Sequence, residues 1–216
     1  MNITKIAICG DSYMTTEHDG IHWSDQIAPN IHKNTLAIGA CSNVLIANQV
    51  RYAVSLGYNM VVVGFTRSSR LEFDKDSSYN IVLNENLAVA DQRRWQHSIT
   101  QDICDTEKTF VQDYYGLVST DFLALQSYHV ILSTLNFLKT SKVKFAYSLG
   151  GVELPDRLFK SMSIPNELEV YKPNEIALNL WDYPGTHVLT GYHVYDRDYQ
   201  SQFEQAVMQV LDCQSY

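Results

Sequence analysis

Apolar residues in this chain fall into short continuous runs, and between the runs they recur at helical spacing. Ile3, Ile6, Ala7 and Ile8 lead up to Gly10-Asp11-Ser12, where the run stops abruptly. That pattern predicts a buried strand over 3–9, closed by a tight turn, with residues 13–20 as loop. Trp23 and Ile27 mark a short helix over 21–27, and a second strand is predicted over 34–38, ending at Gly39-Ala40-Cys41-Ser42-Asn43. Over 43–56, Val44, Leu45, Ala47, Val50, Ala53 and Val54 take i, i+3, i+4 spacing, an amphipathic helix closed by Gly57. Met60-Val61-Val62-Val63-Gly64-Phe65 is β-branched and unbroken, as in a central parallel strand covered on both faces. A fourth strand is predicted over 143–149, stopped by Gly150-Gly151. The helix before it starts at Ser119 or Thr120 and places Phe122, Leu125, His129, Leu132 and Phe137 on one face. A last helix over 198–212 carries Phe203, Ala206, Val207, Val210 and Leu211. Strands alternating with helices predict an α/β chain.

Two stretches interrupt the alternation. Residues 71–118 are rich in Asp, Glu, Asn, Gln and Arg with scattered aromatics. A structureless loop of that length is unusual in a compact domain. We expect 71–87 to be irregular and part of 88–115 to be helical, an insertion packed over the strand ends where it could act as a lid. Residues 152–192 hold Pro155, Pro165, Pro173 and Pro184 and predict a long connection with one short helix. Neither stretch is repetitive or of low complexity, and the expectation is one domain over 1–216.

Composition narrows the function classes. Hydrophobic residues make up 45% and charged residues 19%, an ordinary globular balance. The net charge of -8 argues against a nucleic-acid surface, because phosphate contacts need a basic patch. Arg67/Arg70 and Arg93-Arg94 are too small to reverse that. No secretory signal is visible at the amino terminus, and no apolar run is long enough to span a bilayer. Cys9, Cys41, Cys104 and Cys213 are widely separated. They could form two disulfides, but Cys9 and Cys41 sit in strand-like contexts, which favours free thiols in a reducing, cytoplasmic setting and no metal site.

Three Gly-containing segments fall at the carboxyl ends of successive strands: Gly10-Asp11-Ser12, Gly39-Ala40-Cys41-Ser42-Asn43 and Gly64-Phe65-Thr66-Arg67. A fourth, Thr190-Gly191-Tyr192-His193, precedes the last helix. In this order they resemble the SGNH (GDSL-type) hydrolases, a family of esterases and deacetylases. The resemblance covers about 3–66 and 119–213. It implies a three-layer α/β/α sandwich with a flavodoxin-like parallel sheet, Ser12 as nucleophile and His193 as general base. It also implies an oxyanion hole from the N–H groups of Ser12 and Gly39, and no cofactor. The family's Gly-x-Asn-Asp after the third strand is replaced here, so that Thr66 stands for the oxyanion Asn. Thr190 stands where the family has the aspartate that orients the histidine, with Asp182 or Asp196 as substitutes for it.

Each residue also has a plainer role open to it. Ser12 could cap a helix, and His193 could be a half-buried histidine with His187 as the competing base. Gly39 could serve only its turn, and Ser42 or Asn43 only a helix N-cap. Arg70 could pair with Glu72 at the surface or fix its loop at the pocket mouth. Asn43, Thr66, Gly39 and Arg70 are therefore the candidate oxyanion and substrate contacts. The expected activity is hydrolysis of an O-acyl or O-acetyl ester on a small molecule or carbohydrate, through an acyl-serine. A second expectation is an SGNH-fold binding or assembly module with little catalysis, motivated by the altered Asn and Asp positions, the 14 tyrosines and the large insertion, with a homo-oligomer as a candidate assembly. A nucleotide-binding flavodoxin-like protein is a third, but Asp11-Ser12-Tyr13-Met14 lacks the Gly, Ser and Thr richness of a phosphate loop.

Overall fold

Unbroken apolar strands need cover on both faces, and in the computed structural model of the chain three of them lie side by side. The structure describes residues 5–14, 23–26, 31–39, 41–74, 80–83, 109, 113–114, 116–152, 154–162, 165–178, 180 and 197–214. Strands β1 (Lys5–Cys9), β2 (His32–Thr35) and β3 (Met60–Gly64) are followed by a hairpin of β4 (Leu71–Asp74) and β5 (Asn80–Leu83), and then by β6 (Lys144–Ser148). A four-stranded sheet has the order β2-β1-β3-β6, with every neighbour parallel. Among the described residues the complete helices are α1 (Asn43–Ser55), α2 (Thr120–Thr140), α3 (Asp156–Met162) and α4 (Arg197–Asp212).

The two-residue period of the strands sorts their side chains into two layers. Ala7, Cys9, Val61, Val63 and Phe145 face α1 and α2, where Ile46, Val50, Ile131, Leu135 and Leu138 are fully buried. Ile6, Ile8, Val62 and Ala146 face α4 through Phe203, Val207 and Leu211. Trp23, in a short 3₁₀ turn (Trp23–Gln26), closes that second layer edge-on against Phe203, with ring centroids 5.2 Å apart. The result is the expected three-layer α/β/α arrangement around a parallel sheet. Among the described residues no helix is long and apolar enough to cross a membrane. Cys9 and Cys41 are buried and Cys213 is exposed, none of the three in a disulfide, while Cys104 lies outside the described residues.

Four expectations need correction or a limit. The second strand begins earlier than 34–38, because the edge position tolerates exposed His32 and Asn34. Its backbone still tracks β1 further on, with Leu36 N–H donating to Ile8 O (2.7 Å) and Ile38 N–H to Gly10 O (3.1 Å). Residues 71–87 are not wholly irregular: β4 and β5 pair antiparallel, Leu71 opposite Leu83 and Phe73 opposite Ile81. Each strand has only four residues, too few for alternation to stand out from a polar background. In the helical part expected within 88–115, residues 109 and 113–114 are helical and the others are not described.

The buried face of α2 is also displaced from the expected one. It carries Leu123, Ala124, Ser127, Tyr128, Ile131, Thr134, Leu135 and Leu138, while Phe122 is 48% exposed. Apolarity alone picks the neighbouring stripe because Ser127 and Tyr128 are turned inward to polar partners: Ser127 Oγ accepts from Asn43 (3.1 Å) and Tyr128 Oη from Glu167 N–H (2.8 Å). The proline-rich connection holds α3 and an eight-residue 3₁₀ segment, Glu167–Asn174. Its exit lies along β6, where Ile176 N–H donates to Tyr147 O (2.7 Å).

One close approach fixes the ends of β1 and β3. Met14 belongs to the 3₁₀ turn Ser12–Met14 that follows β1, and its side chain lies against two glycines. A Cβ at Gly64 would sit 2.5 Å from Met14 Cγ. A Cβ at Gly10 would meet Met14 Cγ at 2.5 Å and the Gly64 carbonyl at 2.9 Å, and Gly10 has a φ of +154°. Overpacking of this kind destabilises by about 1–3 kcal/mol. We therefore expect Gly64→Ala to lower stability by that amount in urea unfolding, and much less in a Met14→Ala background. Gly10→Ala should be the costlier substitution in either background, since its clash with the Gly64 carbonyl persists. Equal penalties for Gly64→Ala in both backgrounds would disprove this packing account.

Candidate active site

The chain runs from β1 to β2 on one side and then returns to β3 on the other side of β1. This makes the β1/β3 boundary the topological switch point, and ligands of open α/β sheets bind beyond the strand ends at such points. Asp11 and the Ser12–Met14 turn stand at the end of β1, Phe65 and Thr66 at the end of β3, and Gly39 just beyond β2.

Asp11 is the hub, at 1% exposure. One carboxylate oxygen, Oδ1, accepts Tyr13 N–H (3.0 Å), an Asx turn that shapes the backbone around Ser12. The other, Oδ2, accepts the Thr66 hydroxyl (2.9 Å) and the Arg70 guanidinium Nη1 (2.8 Å). The main-chain carbonyl of Asp11 accepts Met14 N–H (2.9 Å). A buried carboxylate is costly unless paired and hydrogen-bonded, and here both conditions are met.

Helix α1 supplies the next shell of support through two carboxamides. Asn43 grips Thr66 from both sides, its Oδ1 accepting Thr66 N–H (2.9 Å) and its Nδ2 donating to Thr66 O (2.9 Å). Gln49 does the same for Gly10: Oε1 accepts Gly10 N–H (2.7 Å) and Nε2 donates to Gly10 O (3.2 Å). Peptide groups just past a strand end have lost their ladder partners, and an unpaired buried one is expensive. Ser42 caps α1, its Oγ accepting from Val44 N–H (3.1 Å) and Leu45 N–H (3.4 Å). That cap orients the helix that carries both amides.

Beside Asp11 a crevice opens between the ends of β1, β3 and β6. Met14, Phe65, Ser148, Leu180 and Phe203 are among its lining residues, and its cavity volume is about 10 Å³, no more than one water needs.

Of the six expected site residues, the structure brings Thr66 and Arg70 together on Asp11 and places Asn43 directly behind Thr66. Asn43 was expected as a substrate contact or a cap; its amide is instead committed to Thr66 and Ser127. Arg70 was expected to pair with Glu72 or to fix a loop, and it is bonded to Asp11 at the root of the β4–β5 hairpin. Gly39 lies in a turn one residue after Ile38, whose N–H reaches Gly10 O, so it is held beside the β1 turn. Ser12 opens the 3₁₀ turn. His193 lies outside the described residues, as do Thr190, His187, Asp182 and Asp196. The residues missed from the sequence are Asp11 as hub, Gln49 and Met14. Gln49 left one visible signal: a carboxamide on the stripe formed by Ile46, Val50 and Ala53.

No protein-family model and no curated protein sequence matches the chain. Among solved structures, a GDSL-like lipase of Bacteroides thetaiotaomicron superposes with a TM-score of 0.50 at 11% identity, over 97% of this chain and 88% of that one. The fold is that of the SGNH hydrolases. A G-D-S-L family protein of Desulfitobacterium hafniense is similar at a TM-score of 0.49 and 9% identity, over 96% of this chain and 99% of that one. TesA is similar at 0.49 and 11%, over 96% and 98%. At such identities the likeness is one of fold. Within the SGNH fold, the position after β3 that Thr66 fills has its hydroxyl proton directed at Asp11, and Arg70 adds a charge to the same carboxylate.

Removing Arg70 would leave the Asp11 charge buried with neutral donors only. Breaking a buried pair from one side typically costs about 3–5 kcal/mol. Arg70→Ala should therefore shift the urea midpoint by a loss of that order, and adding Asp11→Asn should restore part of it, because the stranded charge is gone. A double variant less stable than Arg70→Ala would contradict this electrostatic account.

Proposed function

We propose that this protein is a serine hydrolase that cleaves an O-acyl or O-acetyl ester of a small molecule or carbohydrate through an acyl-serine. The observation that carries this is the Gly10-Asp11-Ser12 turn at the switch point of an SGNH fold, with the Asp11 carboxylate built into the backbone around Ser12. In this scheme Ser12 Oγ attacks the acyl carbon while His193 accepts its proton. The N–H groups of Ser12 and Gly39 hold the tetrahedral oxyanion. The alcohol leaves with the proton from His193, and water, deprotonated by the same ring, releases the acid and frees Ser12. Thr66 and Arg70 act on this centre through Asp11, and Asn43 acts through Thr66. No step calls for a metal or an organic cofactor.

One observation favours a second reading, a binding or assembly module. The two side chains best placed to add an oxyanion donor, Asn43 and Thr66, both direct their protons at the protein itself. Loss of one such donor elsewhere lowers rates by about 10²–10³. A weak esterase and a non-catalytic module differ in whether Ser12 reacts at all. A fluorophosphonate probe should label the wild-type protein, and Ser12→Ala should abolish the adduct. His193→Ala should slow labelling by at least about 10²-fold, the scale of general-base assistance. An adduct that survives Ser12→Ala, or no adduct on wild type, would remove Ser12 as nucleophile and leave the binding module standing.

A further inference from the structure

We propose that Cys41 is a positioning residue for the oxyanion hole, its thiol proton holding the turn at Gly39 onto the main-chain carbonyl of Gly10. This rests on Ser12 being the nucleophile and on Gly39 N–H being an oxyanion donor. The Cys41 side chain is fully buried, and a thiol shut away from solvent is inert as a nucleophile. What it offers is a proton. It donates that proton to Gly10 O, with Sγ 3.2 Å from the oxygen.

The choice of acceptor gives this contact its consequence. Gly10 O also accepts Ile38 N–H (3.1 Å), a rung between the end of β1 and the chain beyond β2. Gly39 follows Ile38, and two residues after Gly39 the chain comes back to the same oxygen through Cys41. The segment from 38 to 41 is therefore fastened at both ends to one atom, with Gly39 between the fastenings. That atom belongs to the peptide joining Gly10 to Asp11, and Ser12 is the next residue along. The backbone at Gly39 and the backbone at Ser12 are tied together through a single carbonyl.

Gln49 completes the clamp. Its Nε2 donates to Gly10 O (3.2 Å) and to Cys41 Sγ (3.7 Å), while its Oε1 accepts Gly10 N–H (2.7 Å). An amide N–H directed at the sulfur occupies a lone pair and leaves the thiol proton for the carbonyl. An alkyl side chain of similar size would fill the space and supply neither contact. Oxyanion donors work by being fixed in place before the charge develops. A weak thiol hydrogen bond thus matters through the turn it immobilises, more than through its own strength.

The test follows p-nitrophenyl acetate hydrolysis and the affinity for benzeneboronic acid, whose tetrahedral adduct on Ser12 places an oxygen where the oxyanion forms. Cys41→Ala and Cys41→Val, which lack the proton, should lower kcat per folded molecule about tenfold at unchanged KM, part of the roughly 10²-fold that a 1 Å misplacement costs. Boronate affinity should fall by the same factor. Cys41→Ser, which keeps a donor, should bring both quantities back to within about threefold of wild type. Wild-type kcat and boronate affinity in folded Cys41→Ala would overturn the proposal and leave Ser12 untouched. A loss in Cys41→Ser as large as that in Cys41→Val would also overturn it, because packing and not the proton would then be responsible. That pair decides the matter even if Cys41→Ala leaves a cavity that prevents folding. No ester turnover by wild type, together with no fluorophosphonate adduct, would instead overturn the hydrolase assignment and this inference with it.

Discussion

The Asp11 carboxylate is the constraint on which the site depends. A charge at 1% exposure persists only if its surroundings compensate it, and every compensating group comes from a different piece of chain. Tyr13 N–H comes from the turn after β1, Thr66 from the end of β3, and Arg70 from the root of the β4–β5 hairpin. Satisfying one carboxylate therefore sets the shape of the turn that carries Ser12, the exit of the central strand and the point where the hairpin departs. Asp11 organises these because it accepts several hydrogen bonds at once and donates none.

Helix α1 makes that arrangement rigid. Parallel strands end together, and each end leaves peptide groups without a ladder partner close to where a ligand would bind. Gln49 pairs with both main-chain groups of Gly10, whose carbonyl also accepts Ile38 N–H, and Asn43 with both of Thr66, each with a donor and an acceptor on the same residue. A carboxamide is the side chain with both functions side by side. Both belong to one capped helix, so the ends of β1 and β3 are held at a common spacing. Met14 then fills the gap between them, which explains why both strands finish in glycine-containing turns.

Much of the scaffold was legible in the sequence. Met60 to Phe65 reads as a central strand because both of its faces are apolar, and β3 is indeed flanked by β1 and β6. Helix α4 shows its periodicity openly, whereas the stripe expected on α1 took in Val44, which is exposed, and passed over Ile46, which is buried. What failed to show was long-range pairing of polar groups. Nothing in Thr66 or Arg70 announces that both converge on a residue more than fifty positions earlier. The inward face of α2 was misjudged for the same reason, since Ser127 and Tyr128 are buried by virtue of partners in Asn43 and Glu167. Short strands such as β4 and β5 escape because four residues of alternation carry little signal.

The pairing of Asp11 with Arg70 also bears on the chemistry expected at Ser12. Acyl transfer builds negative charge on an oxygen next to the nucleophile, and a bare carboxylate one residue away would oppose it. Two like charges 4 Å apart repel by about 4 kcal/mol at an effective dielectric of 20. Arg70 cancels that field at its source, while the hydroxyl of Thr66 adds a dipole of helpful sign on the same oxygen. In the proposed hydrolase, neutralisation of Asp11 would take the place of a direct amide donor to the oxyanion. That arrangement stabilises a tetrahedral intermediate less sharply than a dedicated donor, because it acts from further away and on ground state and transition state alike.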